Sequence, residues 1–104
     1  MSEEPSNGRA TAIETGGSEQ TLTILNKRGL HARASAKFVS TAGKFEARVQ
    51  VSKDGVEVCA TSIMGLMMLA AAPGDQITIR AEGRDAPAVI AALTALVTDK
   101  FGEE

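Results

Sequence analysis

"F-E-A-R-V-Q-V-S-K-D-G-V-E-V-C-A", residues Phe45 to Ala60, is the stretch whose reading decides the fold. Phe45, Ala47, Val49 and Val51 are apolar, and Glu46, Arg48 and Gln50 between them are polar. A period of two sends successive side chains to opposite faces of a strand, so one face is apolar and the other wet. Lys53-Asp54-Gly55 then breaks the pattern, and Val56, Val58 and Ala60 resume it. Asp-Gly favours the tight turn of a hairpin because both residues tolerate a positive φ. An antiparallel hairpin with one solvated face is expected.

The same logic extends in both directions. Thr21-Leu22-Thr23-Ile24 alternates as a strand before Gly29 breaks it, and Ile77, Ile79 and Ala81 mark another. Between them lie two helical patterns. Residues Ala32 to Ala42 carry Ala34, Phe38, Val39 and Ala42 on one side, and Arg33, Lys37 and Ser40 on another, with Gly43 as a stop. Ser62 caps a short helix expected to run to about Ala71, ahead of Pro73-Gly74. Asp85 caps a last helix, with Pro87 in its first turn and Val89, Leu93, Leu96 and Val97 as its buried face. The order is β-α-β-β-α-β-α. Since every strand alternates, helices must cover one face of the sheet only. We expect an α+β, two-layer, open-faced sandwich: a four-stranded antiparallel sheet with three helices on one face.

The chain has 104 residues, enough for one domain. Residues 1–19, rich in Ser, Thr, Glu and Gly, are expected to be a disordered extension, and residues 20–104 the domain. Cys59 is the only cysteine and His31 the only histidine, which excludes an internal disulfide and a closed zinc site of typically ~4 ligands. No metal or cofactor is expected. The formal charge of -2, with no Trp or Tyr and three Phe, argues against nucleic acid. No run approaches the roughly 18 apolar residues of a membrane span, and no signal peptide is evident. A cytoplasmic protein away from membranes is the expectation. The charge is nevertheless uneven: Gln20 to Phe45 holds Lys27, Arg28, Arg33, Lys37 and Lys44 with no acid. A local basic face of that kind attracts acidic partners, although a solvated helix face gives the same pattern.

His31 sits inside that segment, where a strand gives way to a helix. Neither a partner nucleophile nor a ligand set accompanies it. A neutral imidazole nitrogen is itself a nucleophile that can accept a phosphoryl group. The start of a helix offers backbone N–H groups to an anion and disfavours the imidazolium, and Arg33 offers its planar fork to phosphate oxygens. A histidine serving only as a helix cap fits the spacing as well.

"N-K-R-G-L-H-A-R-A-S-A-K-F-V", Asn26 to Val39, resembles the active-site segment of the HPr family, the histidine phosphocarriers of bacterial phosphoenolpyruvate phosphotransferase systems. The resemblance spans Thr21 to Phe101 and implies the same order of elements. It implies that His31 is phosphorylated on Nδ1 and that Arg33 contacts the phosphate. It further implies receipt from enzyme I and delivery to an enzyme IIA domain, so that the chain is a carrier rather than an enzyme, working as a monomer. Many relatives have proline where this chain has Ala34; alanine is a good helix former, so the helix start is expected to survive.

"T-S-I-M-G-L-M-M-L", Thr61 to Leu69, is apolar nearly all round. With Leu66 and Leu69 inward, Ile63, Met64 and Met67 stay accessible as an adaptable contact surface; methionines packed wholly inward are the plainer alternative. The segment resembles the family's docking helix. By that resemblance Ile63, Met64, Met67 and Lys37 meet partners, and Ser62 is the serine modified by HPr kinase/phosphorylase. Two branches are compatible with these residues, one serving sugar transport and one, often called NPr, serving nitrogen-related regulation. A ferredoxin-like ligand-sensing or RNA-binding module is the alternative of another class, since β-α-β-β-α-β also opens that fold.

Overall fold

In the computed structural model, residues 18–103 are described. The expected disordered extension lies outside them except for Ser18 and Glu19, which open strand β1 (Ser18–Thr23). There follow α1 (Ala32–Ala42), β2 (Arg48–Lys53), β3 (Val56–Cys59), α2 (Ile63–Met68), β4 (Gln76–Glu82) and α3 (Ala86–Thr98). The sheet runs β1-β4-β2-β3, and every neighbouring pair is antiparallel. The β2–β3 hairpin pairs Lys53 with Val56 across Asp54 (φ 50) and Gly55 (φ 83), the positive dihedrals that the Asp-Gly pair leads one to expect.

One face of the sheet is dry. Val49, Val51, Ile77, Ile79 and Ala81 are buried there, and β4 alternates buried and accessible residues along its length. The helices close over this face with Ala34 and Phe38 from α1, Leu66 from α2, and Val89, Leu93 and Val97 from α3. Helix α1 packs against both α2 and α3, while α3 lies on β1 and β4. Arg48, Gln50, Arg80 and Glu82 occupy the opposite, wet face.

Two expected boundaries and one expected cap differ, each because backbone groups are used elsewhere. The second strand starts at Arg48 rather than Phe45, since Glu46 gives its N–H to Asp85 Oδ2 (2.7 Å) and its carbonyl to the Asp85 N–H (3.0 Å). For the same reason Asp85 stands at the start of α3 without capping it; its carboxylate, held below the ordinary aspartate range chiefly by the Glu46 N–H, crosses to the chain entering β2. Helix α2 ends at Met68 rather than near Ala71, because Ala70 turns to φ 53 and the Ala71 carbonyl accepts from Leu30 N–H at 3.0 Å.

That last bond brings the chain before α1 against the loop after α2. Gly29 lies at the crossing with φ 63, and a Cβ there would stand 2.3 Å from the Ala71 carbonyl oxygen. Gly55, at φ 83, faces open space. The pair separates backbone strain from contact. Gly55→Ala is expected to cost only the ~1–2 kcal/mol of a left-handed alanine, and Gly29→Ala upward of ~3 kcal/mol, in the range of severe single substitutions. Urea unfolding of the two variants measures the difference; equal costs would mean that the crossing is not tight.

Candidate phosphoryl-acceptor site

The loop from Asn26 to Leu30 delivers His31 to the start of α1. Asn26 folds it from both sides: its carbonyl accepts from Gly29 N–H (3.2 Å) and its Nδ2 donates to the Gly29 carbonyl (2.9 Å). His31 N–H then donates to that same carbonyl at 2.9 Å, and His31 accepts the first helical bond from Ser35 N–H at 2.9 Å. His31 is therefore the residue at the helix N-terminus, in extended conformation (φ -77, ψ -178). Its side chain makes no cap bond, so the plain capping role is not the one it plays. The N–H groups of Ala32, Arg33 and Ala34 precede the first helical bond, and no acid lies in the first turn of α1. An anion is favoured at such an end. Ala34 is fully buried and α1 runs unbroken from Ala32 through it.

The imidazole lies in a cleft of about 230 Å³ lined by Arg28, His31, Arg33, Lys37, Gly102 and Glu103. Arg33 is exposed on the side of α1 away from Phe38, which is wholly buried. Lys37, read from sequence as a partner contact, lines the same cleft and donates from Nζ to the Phe101 carbonyl at 2.6 Å. The side chain of His31 is 20% exposed and that of Glu103 11%. Nε2 of His31 meets Glu103 Oε2, and Glu103 Oε1 accepts from Asn26 Nδ2 at 3.0 Å. Burial pushes the Glu103 carboxyl up, but the hydrogen bonds from Asn26 and His31, with the charge of Arg28, outweigh it and hold the group below its ordinary range. The site thus combines a ring poised between solvent and protein, three cations and one ionised carboxylate.

Beside it, α2 divides as its sequence suggests. Leu66 is buried and Leu69 nearly so, whereas Ile63, Met64 (69% exposed), Met67 and Met68 (76% exposed) face outward. Leu25, from the loop after β1, is also an exposed large apolar residue. Ser62 Oγ accepts from Gly65 N–H at 2.9 Å, the capping bond that its position implies. Sequence reasoning missed Glu103, Asn26, Met68 and Leu25 as parts of these surfaces. Only the Asn26 contact with Gly29 is local enough to have been found, as an Asn three residues ahead of a turn glycine.

Comparison with known proteins identifies the family. A family model described as the PTS HPr component phosphorylation site matches residues 18–99. Phosphocarrier protein HPr of Cupriavidus necator is 48% identical over 85 residues, covering 82% of this chain and 96% of that protein. Phosphocarrier protein NPr of Shewanella violacea is 41% identical, covering 82% and 93%. Among solved structures, HPr-C-His from Thermoanaerobacter tengcongensis superposes with a TM-score of 0.81 at 48% identity, covering 84% of this chain and 98% of that one. An HPr from Bacillus anthracis gives 0.75 at 43%, covering 78% and 96%. The ferredoxin-like alternative is thereby set aside, and this chain, with its lone histidine at the helix start, belongs to the HPr family of phosphotransferase-system phosphocarriers.

Proposed function

We propose that His31 takes a phosphoryl group from enzyme I, charged from phosphoenolpyruvate, and passes it to an enzyme IIA domain. The observation that carries this is the partly exposed ring at the positive end of α1, in a cleft shared with Arg28, Arg33 and Lys37. Helix N–H groups and the three cations are suited to hold a phosphate dianion, and the guanidinium of Arg33 to bind its oxygens in pairs. The group is borne on the protein's own side chain, with no cofactor, and is regenerated at each cycle. Among the described residues no helix is long and apolar enough to cross a membrane. We read the working form as a cytoplasmic monomer. Its acceptor belongs to a sugar-transport or a nitrogen-related system, and relatives bearing HPr and NPr names lie close together in identity.

With enzyme I and phosphoenolpyruvate, the protein is expected to gain one acid-labile, base-stable phosphate that His31→Ala lacks. Arg33→Ala, on an exposed position, is expected to slow labelling while keeping stability within about 1 kcal/mol. Full labelling of His31→Ala would overturn the assignment, and a normal rate in Arg33→Ala would remove that residue from the site.

Enzyme I and IIA are proposed to dock on the exposed apolar side of α2, through Ile63, Met64 and Met67, with Lys37 contributing at the cleft. The large accessible side chains next to the acceptor site support this. Ser62, at the start of α2, is the proposed target of HPr kinase/phosphorylase. A phosphate there adds about -1.5 to -2 charges beside the apolar contact. The helix N-terminus tolerates those charges, but a docking partner must desolvate them. Ser62→Asp is therefore expected to slow His31 phosphorylation without melting the domain. Ser62→Ala is expected to label normally and lose roughly 1 kcal/mol with its bond to Gly65. Labelling rates and thermal melts of the two variants check this, and equal rates for both would leave Ser62 a helix cap only.

A further inference from the structure

After α3 the chain bends sharply back toward His31. Lys100 (φ 57), Phe101 (φ 57) and Gly102 (φ 73) are successively left-handed, a conformation that the first two, as L residues with a Cβ, adopt only under compensation from elsewhere. The compensation is visible: Phe101 is wholly buried, Lys37 Nζ bonds its carbonyl, and Glu103 reaches Asn26 and His31. The segment is built to deliver one carboxylate to one imidazole.

We propose that Glu103, held by Asn26, is a positioning residue that keeps a proton on Nε2 of His31 and so leaves the lone pair on Nδ1 as the phosphoryl acceptor. This rests on the phosphocarrier reading above. Asn26 is fully buried, and its Nδ2 donates both to the Gly29 carbonyl and to Glu103 Oε1. Its Oδ1 has no partner among the described residues. A buried oxygen left unpaired is costly, yet turning the amide over would set that oxygen against two acceptors. The Gly29 carbonyl thus fixes Asn26 with its donors outward. Asn26 in turn fixes Glu103, whose other oxygen faces Nε2. A carboxylate only accepts, so Nε2 must donate. A histidine ring bonded in this way at one nitrogen presents the lone pair of the other.

In the transfer step the Nδ1 electron pair forms the bond to phosphorus, and the bond from phosphorus to its donor atom breaks, its electrons staying with the donor. The Nε2 proton stays in place. The positive charge that develops on the ring faces Glu103, while the phosphate faces Arg28, Arg33 and Lys37, the cations that line the cleft.

The test separates positioning from mere packing. In Glu103→Gln, of nearly the same shape, the carboxamide oxygen must face the Asn26 amide, so its NH2 faces Nε2 and favours the Nδ1–H tautomer. Glu103→Ala releases the ring without imposing either tautomer. Nitrogen NMR of histidine-labelled, unphosphorylated protein reads the tautomer, thermal melting verifies folding, and labelling by enzyme I reads the rate. Wild type is expected to hold Nε2–H, and Glu103→Gln to shift to Nδ1–H and slow at least about tenfold through the wrong tautomer. Glu103→Ala should lie between. A Gln variant that keeps Nε2–H at the wild-type rate, or an Ala variant slower than Gln, would overturn the proposal. Wild type that is never labelled on His31 would instead overturn the carrier reading, and the tautomer comparison would still decide whether Glu103 sets the ring.

Discussion

The approach of Gly29 to the Ala71 carbonyl is the constraint on which the rest depends. Leu30 N–H bonds that oxygen, and no side chain fits at the crossing. The contact ends the loop after β1, sets α1 to begin three residues later, and fastens the loop after α2 beside it. Without it the sheet and its apolar face could persist, but the histidine would not stand at a helix end with the apolar surface of α2 as neighbour. The buried Asn26 tightens the same loop from the other side and links it to Glu103.

Charge then follows from placement. A helix N-terminus with no acid in its first turn favours an anion, and Arg28, Arg33 and Lys37 strengthen that preference. One carboxylate within such a cleft is not wasted, because it lies on the far nitrogen of the ring. A carrier must give up its group as readily as it takes it. A cleft of about 230 Å³ that leaves the ring 20% exposed suits exchange with successive partners better than a closed pocket would. The outward methionines of α2 are the adaptable surface on which the proposed partners would dock.

Much of this was legible in the sequence because it is local. The alternation through Val49 and Val51, the Asp54-Gly55 turn and the amphipathic stripe of α1 specify strands and helix through periods that any short window displays. The dry and wet sides of α2 also followed from spacing, with Leu66 inward and Met64 outward. What escaped was set by contacts distant in sequence. Asp85 was read as a helix cap because its place demands one, yet Glu46, 39 residues away, takes its carboxylate. Helix α2 was read too long because nothing in its own residues announces that Ala71 will bond Leu30. Glu103 was invisible as a site residue, since 72 residues separate it from His31 and only the left-handed turn at Lys100–Gly102 brings it back. Phe101, which anchors that turn, gave no periodic signal beyond the end of α3.

The measurement that bears most directly on the central claim is phosphorus–nitrogen coupling in the phosphorylated protein, prepared with enzyme I from histidine labelled with nitrogen-15. Phosphorus coupled to Nδ1 of His31, with Nε2 still carrying its proton beside Glu103, is the predicted result. Phosphorus on Nε2, or on any residue other than His31, would contradict it.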